Sequence, residues 1–206
     1  EDYRSYVRRL SARIEEILRI TRLASRDGTA EFDLIPLLRS TMYIFQSNLE
    51  FKPVVNFEID IPEERVDMRS NPVDIVTIVE NIVRNSCEAL VEKYGSRAEA
   101  ISRAWLSVSC RRMDDAVSIV VADNGPGVAG CDACGDDNCL VCPSLETGMT
   151  TKEDGSGLGL LNVRRAAERV GAEVVMRSSA GNGVRTEITV PATIDVDGRI
   201  RSEIYS

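Results

Sequence analysis

Residues 72–94 read PVDIVTIVENIVRNSCEALVEKY, and this stretch decides the fold. Ile75, Ile78, Val79, Ile82, Val83, Cys87, Leu90 and Val91 recur at helical spacing and make one broad apolar face, so the segment is a long helix packed on a core. Asn81 and Asn85 lie one turn apart on a common face. An Asn inside a helix weakens it slightly, so two stacked ones call for a reason. Read blandly, they are a solvated polar stripe. Read functionally, a neutral amide oxygen is a hard ligand suited to Mg²⁺, which keeps its waters and takes phosphate oxygens from a nucleotide.

Downstream, residues 105–111 and 116–122 read as two strands joined at Asp114-Asp115. The second runs straight into Asp123-Asn-Gly125-Pro-Gly127. A carboxylate at a sheet edge, followed by two glycines, stands beside backbone that a ligand can approach closely. It accepts hydrogen bonds only, so it suits adenine's amino group and repels guanine's carbonyl. A plain Asn-Gly turn is the simpler alternative. Residues 123–157 form a long loop rich in Gly, Cys, Asp and Thr, the pattern of a functional lid. Near its end, Met149-Thr-Thr-Lys152 precedes Gly155-Ser-Gly157-Leu-Gly159-Leu160, which opens a helix over residues 158–170 closed by Gly171. Glycines ahead of a helix free backbone N–H groups to face an anion. The spacing is neither the dinucleotide-binding fingerprint nor a P-loop. A hairpin over 172–178 and 184–190 ends the pattern, with Ala180-Gly-Asn-Gly183 as its turn.

Upstream, residues 55–61 alternate as a half-buried strand, and residues 34–49 read as helix. Residues 1–26 form an amphipathic helix whose seam, Val7, Leu10, Ile14, Ile17, Thr21 and Ala24, has a period of about 3.5 residues. That narrow seam suits a partner helix better than a face packed on its own domain. The order helix, strand, helix, hairpin, lid, helix, hairpin makes an α/β sandwich, with helices on one face of a mostly antiparallel mixed sheet.

These motifs, in this order, resemble the GHKL ATPase superfamily, and within it the catalytic ATP-binding domain of sensor histidine kinases. Asn81-Ile-Val-Arg-Asn85-Ser is similar to the asparagine box. Asp123-Asn-Gly-Pro-Gly127 is similar to the first glycine box, Gly155-Ser-Gly-Leu-Gly159-Leu160 to the second, and Gly181-Asn-Gly183-Val-Arg-Thr186 to the last. Met149-Thr-Thr-Lys152 stands where the family often has a Phe-Thr-Thr-Lys element. The resemblance covers roughly residues 29–192 and implies a Bergerat-type ATP-binding fold. It further implies that Asn85 holds Mg²⁺, Asn81 supports the phosphates and Asp123 recognises adenine. Gly125 and Gly127 admit the base, and Thr186 lines the adenine end. Gly155, Gly157 and Gly159 cradle the phosphates, with Lys152 and Leu160 in the flanking motifs. The leading helix, residues 1–28, resembles the second helix of a dimerisation hairpin, which implies a homodimer. Residues 29–206 are then the catalytic domain, with its lid near 128–155.

Composition narrows the activity. The 206 residues carry 25 Lys+Arg against 33 Asp+Glu, a net charge of -8, which argues against a nucleic-acid surface. The absence of histidine removes His-dependent catalytic pairs and any phosphohistidine on this chain. The resemblance therefore implies a γ-phosphoryl group passed from ATP to a His on a dimerisation helix absent here, with a response regulator downstream. ATP-hydrolysing relatives carry Glu where this chain has Asn81, which favours a kinase. A regulatory ATP-binding switch and a Ser/Thr kinase of the same superfamily are the alternatives. The chain does not begin with Met and is read as a cytoplasmic fragment without membrane contact, leaving an upstream membrane anchor open.

Six cysteines remain. Cys87 and Cys110 stand alone, whereas Cys131, Cys134, Cys139 and Cys142 form two C-x-x-C pairs inside the lid. Four thiolates at that spacing match a tetrahedral structural Zn²⁺ site, with an iron–sulfur cluster or redox-active thiols as alternatives.

Overall fold

The computed structural model describes residues 3–22, 28–95, 103–128, 158–178 and 181–192. Helix α1 (Tyr3–Thr21) leads into strand β1 (Ala30–Asp33) and helix α2 (Leu34–Ser47). Strands β2 (Asn56–Asp60) and β3 (Asp67–Ser70) precede the long helix α3 (Pro72–Tyr94). Strands β4 (Trp105–Arg112) and β5 (Ala116–Asp123), helix α4 (Leu158–Val170) and strands β6 (Glu173–Ser178) and β7 (Val184–Pro191) complete the order. Five strands form one sheet in the order β2-β4-β5-β7-β6, in which only the β2–β4 pair is parallel. This is the expected α/β sandwich.

Its local signals explain its elements. Asn71 caps α3 by accepting from the amides of Val73 and Asp74, and Pro72 follows at the first helical position, where a missing N–H costs nothing. Gly171 ends α4 at φ +62, with Ala172 N donating to Ala167 O and Gly171 N to Glu168 O; this bond pair is a Schellman closure. On β4, Leu106, Val108 and Cys110 are buried while the residues between them are not, as a half-covered sheet requires. The same face of β5 and β7 contributes Val117, Ile119, Val121, Ile188 and Val190 to the core beneath the helices.

Two strands were not foreseen. β1 and β3 pair antiparallel as a separate ribbon, each only four residues long, and AEFD and DMRS carry too little alternation to announce a strand. Asp33 serves both ends of this unit: its carboxylate caps α2 at Ile35 N and also accepts from Val66 N just before β3. The expected helix over 34–49 stops at Ser47, and β5 continues one residue further than expected, to Asp123.

Helix α1 lies along α2, with Leu10 and Ile17 half-buried, while Val7, Ile14 and Leu18 keep 40%, 44% and 44% of their surface exposed. Between α1, α2 and α3 a cavity of about 230 Å³ opens, lined by apolar groups such as Ile17, Phe45 and Val76. No helix among the described residues is long and apolar enough to cross a membrane.

Candidate nucleotide site

The site is built where α3, the end of β5, the start of α4 and the β6–β7 turn meet. Asp123 lies two residues beyond Val121 and faces Leu106 across the ladder, so it falls on the covered face of the sheet. It is 4% exposed. One carboxylate oxygen accepts from Gly125 N at 2.8 Å and Val184 N at 3.3 Å. The other accepts from the Ser86 hydroxyl at 2.6 Å. A carboxylate offers about four acceptor positions, so three donors orient it and leave acceptor capacity for a ligand.

Glycines bring backbone against this carboxylate. A Cβ at Gly125 would stand 2.8 Å from the Asp123 carboxylate. At Gly183, φ is +83 and a Cβ would meet the Asp123 carbonyl oxygen at 1.9 Å. The β6–β7 turn therefore presses on the strand end closer than any other residue allows. Thr186 sits opposite Val121 on β7, fully buried, and its hydroxyl has no partner among the described residues. An orphaned buried hydroxyl next to an anchored carboxylate is a polar end awaiting a ligand or its water.

The asparagines face another element. Asn81 Nδ2 donates to Thr77 O at 2.7 Å, which turns its amide oxygen away from its own helix. Helix α4 runs antiparallel to α3, held at the far end by Arg169, which forks onto the buried Asp74 at 3.0 and 2.5 Å. At the near end Gly159 lies over the pair: a Cβ there would stand 3.4 Å from Asn81 Oδ1 and 3.6 Å from Asn85 Oδ1. Two amide oxygens thus converge on the first turn of α4, whose free N–H groups favour anions. Asn85 has no side-chain partner among the described residues, as suits a group kept for a metal or phosphate. The donor set, neutral oxygens beside a helix N-terminus, fits a Mg²⁺ that also takes phosphate oxygens. Glu80, which precedes Asn81 on α3, is bound to Arg84 at 2.6 Å.

Asn81, Asn85, Asp123, Gly125, Gly127, Gly159, Leu160 and Thr186 fall within the described residues, and apart from Gly127 and Leu160 they line the two ends just described. Gly127 has φ +71 in the loop beyond Asp123, and Leu160 is partly buried and packs against the core. Lys152, Gly155, Gly157 and the four lid cysteines lie outside the described residues. Lys93 was not singled out from sequence, and Ser86 and Gly183, though they stand inside quoted motifs, were not singled out for a role of their own. Ser86 could have been, as a polar residue on the apolar face of α3 between Val83 and Leu90. Cys87 and Cys110 are core residues: burial pushes their thiols up to about 12 and about 11, so neither is poised as a nucleophile.

Similarity to known proteins fixes the family and the fold. The family model described as histidine kinase-, DNA gyrase B-, and HSP90-like ATPase matches residues 70–194. The sensor protein FixL of Bradyrhizobium diazoefficiens is 31% identical over 121 residues, 58% of this chain and 21% of its own. The virulence sensor histidine kinase PhoQ of Salmonella typhimurium is 25% identical over 134 residues, 65% of this chain and 24% of its own. The chain thus spans about a fifth to a quarter of the length of these relatives. Among solved structures, the catalytic domain of the histidine kinase ThkA superposes with a TM-score of 0.61 at 22% identity, covering 83% of this chain and 99% of that one. The chain belongs to the histidine kinase-, DNA gyrase B- and HSP90-like ATPase family, as an ATP-binding catalytic domain of the kind sensor histidine kinases carry.

Proposed function

We propose that this domain binds Mg·ATP and passes the γ-phosphoryl group to a histidine on a dimerisation helix outside this chain. The observation that carries the reading is the pairing of two ends: an anchored, buried Asp123 and, on the other side of Ser86, an asparagine pair under the first turn of α4. Asp123 accepts from the adenine amino group, and Thr186 supports that end. Asn85 holds Mg²⁺, which when bound neutralises phosphate charge. Asn81 and the N–H groups at the start of α4 orient the triphosphate, with Lys152, Gly155 and Gly157 completing the cradle.

Phosphoryl transfer to a ready imidazole nitrogen demands positioning and charge neutralisation more than deprotonation. That suits an amide at position 81 and a Glu80 engaged by Arg84. The exposed Val7, Ile14 and Leu18 on α1 support a homodimer through residues 1–28, with residues 29–206 as the catalytic unit. A response regulator receives the phosphoryl group on the cytoplasmic side. In the lid, Cys131, Cys134, Cys139 and Cys142 bind one structural Zn²⁺, which lowers the entropy lost as the lid closes on ATP. One zinc per chain by elemental analysis, absent after Cys131→Ser with Cys134→Ser, is the expected result; a brown, iron-containing protein refutes zinc.

The test of the main reading is calorimetry with ATP and GTP in Mg²⁺, followed by transfer to a histidine-bearing hairpin supplied in trans. Selective ATP binding and acid-labile phosphate on the hairpin are expected. Equal affinity for both nucleotides, or acid-stable product, overturns it.

A further inference from the structure

The last turn of α3 carries Lys93, and no motif in the chain gives this residue a role. Its ammonium donates to Asn124 O at 2.8 Å, to Gly125 O at 2.8 Å and to Gly181 O at 3.4 Å. These carbonyls come from two separate segments: the loop directly after Asp123 and the β6–β7 turn. The same segments are joined by Gly181 N donating to Pro126 O at 2.7 Å, and Tyr94 OH adds a 3.2 Å bond to Asn124 O. Both lead directly to Asp123. Gly125 N donates to Asp123, and two residues beyond Gly181 the backbone of Gly183 presses on the Asp123 carbonyl.

Three carbonyl dipoles aimed at one point repel each other unless a cation sits there. A lysine ammonium carries three donors on a compact head and satisfies three convergent oxygens; a planar guanidinium spreads its donors in a fork and does not. The position at the C-terminus of α3 adds the favourable helix dipole. A solvent-facing lysine capping a helix end would need none of these cross-segment bonds.

We infer that Lys93 is a positioning residue for adenine recognition, tying the loop after Asp123 to the β6–β7 turn so that the Asp123 carboxylate meets the base in one fixed orientation. The inference rests on the reading that ATP binds through Asp123. Lys93 reaches the base through backbone and touches neither substrate nor metal.

The experiment compares the whole chain with its Lys93→Met and Lys93→Arg variants, titrated with ATP and with GTP in Mg²⁺ and assayed for transfer to the hairpin in trans. Lys93→Met is expected to raise the ATP dissociation constant and KM about tenfold, as for loss of a charged hydrogen-bond centre. Transfer at saturating ATP should stay within about twofold, because the asparagine end is untouched. GTP binding should move little, so the ATP preference shrinks. Lys93→Arg keeps the charge and should fall about threefold short of wild type, which preserves the test should the Met variant not fold. Unchanged ATP affinity in a folded variant overturns the inference. So does a parallel loss for ATP and GTP with a lowered Tm, which marks a purely structural role. If wild type itself shows no ATP preference, the ATP reading fails and the inference falls with it; a selective wild type with unaffected variants sinks the inference alone.

Discussion

The adenine and phosphate ends of the proposed nucleotide site are built differently. At the adenine end, Asp123 is almost fully buried, three donors hold it, and the Gly183 backbone is pressed against it. At the phosphate end, Asn81 and Asn85 are partly exposed and Asn85 has no partner among the described residues. Folding itself sets the first end through three hydrogen bonds; among the described residues one side-chain bond, Asn81 to Thr77 O, sets the second. Substitutions at the adenine end should therefore disturb folding and binding together, whereas those at the phosphate end should disturb function alone. Four substitutions test that division, ordered by their effect on folding free energy.

The largest effect belongs to Gly183→Ala. The new Cβ meets backbone at 1.9 Å and the residue must hold φ +83. Backbone cannot yield as a side chain can, so the expected loss is about 3 kcal/mol or more, read as a lowered Tm, with ATP binding largely lost. Gly181→Ala is the matched control, with the same φ but open space around its Cβ position. It should cost only about 1 kcal/mol. Equal costs at the two positions would mean that the turn does not press on Asp123.

Next comes Asp123→Asn. It replaces an acceptor of three hydrogen bonds with a group that must turn an N–H₂ toward one of its donors. A loss of about 1.5–3 kcal/mol in ATP affinity is expected, with about 1–2 kcal/mol in stability because Ser86, Gly125 N and Val184 N lose a charged acceptor. Calorimetry and thermal melts measure the two separately. An Asn variant that still prefers ATP to GTP would remove adenine recognition from Asp123.

Asn85→Ala should invert the sign. Ala is the better helix former by about 0.5 kcal/mol, and Asn85 makes no side-chain bond among the described residues that would be lost. Stability should rise slightly while Mg²⁺-dependent phosphoryl transfer falls by at least about a hundredfold, a split that thermal melts and transfer assays on one preparation would show. A marked drop in Tm would place Asn85 among the structural residues and end the contrast between the two ends.

The same division governs what the sequence made legible. The residues proposed to contact substrate, Asn81, Asn85 and Asp123, stood out because each breaks its local pattern: an amide inside a helix, a carboxylate ending an apolar strand. The residues that hold them did not. Ser86 shows only as one polar residue on an apolar face and Lys93 is an ordinary choice near a helix end, and their roles exist only across 37 and 31–88 residues of chain separation. The β1–β3 ribbon escaped for a related reason, since each strand is too short for alternation to outweigh chance, and its partner lies about forty residues away. Helix and strand periodicity are local quantities, whereas a pairing register and a convergent set of carbonyls are not.

The cysteines carry the smallest predicted effect on stability at neutral pH and extend the contrast to the lid. Cys87 and Cys110 are buried at the core, and burial lifts their thiols from 9.0 to about 12 and about 11. The charges of Asp123 and Glu88 add to the rise at Cys87. Alkylation proceeds through the thiolate, so at pH 8 both should react more slowly than an ordinary thiol by about a hundredfold or more, before shielding is counted. The sign for stability follows from the same shift. Both thiols are protonated in either state below about pH 9, so their titration leaves neutral-pH stability unchanged. Above it the unfolded thiols ionise first, and stability falls as pH rises, by up to about 1.4 kcal/mol per pH unit for each thiol, until the folded values are reached. Iodoacetamide labelling followed by mass spectrometry separates the two classes. Native protein treated with a strong chelator should label only Cys131, Cys134, Cys139 and Cys142, zinc-loaded protein should label none, and unfolded protein all six. Early labelling of Cys87 would mean that α3 opens around Asp123 without unfolding, and the adenine end would then no longer be the rigid half of the site.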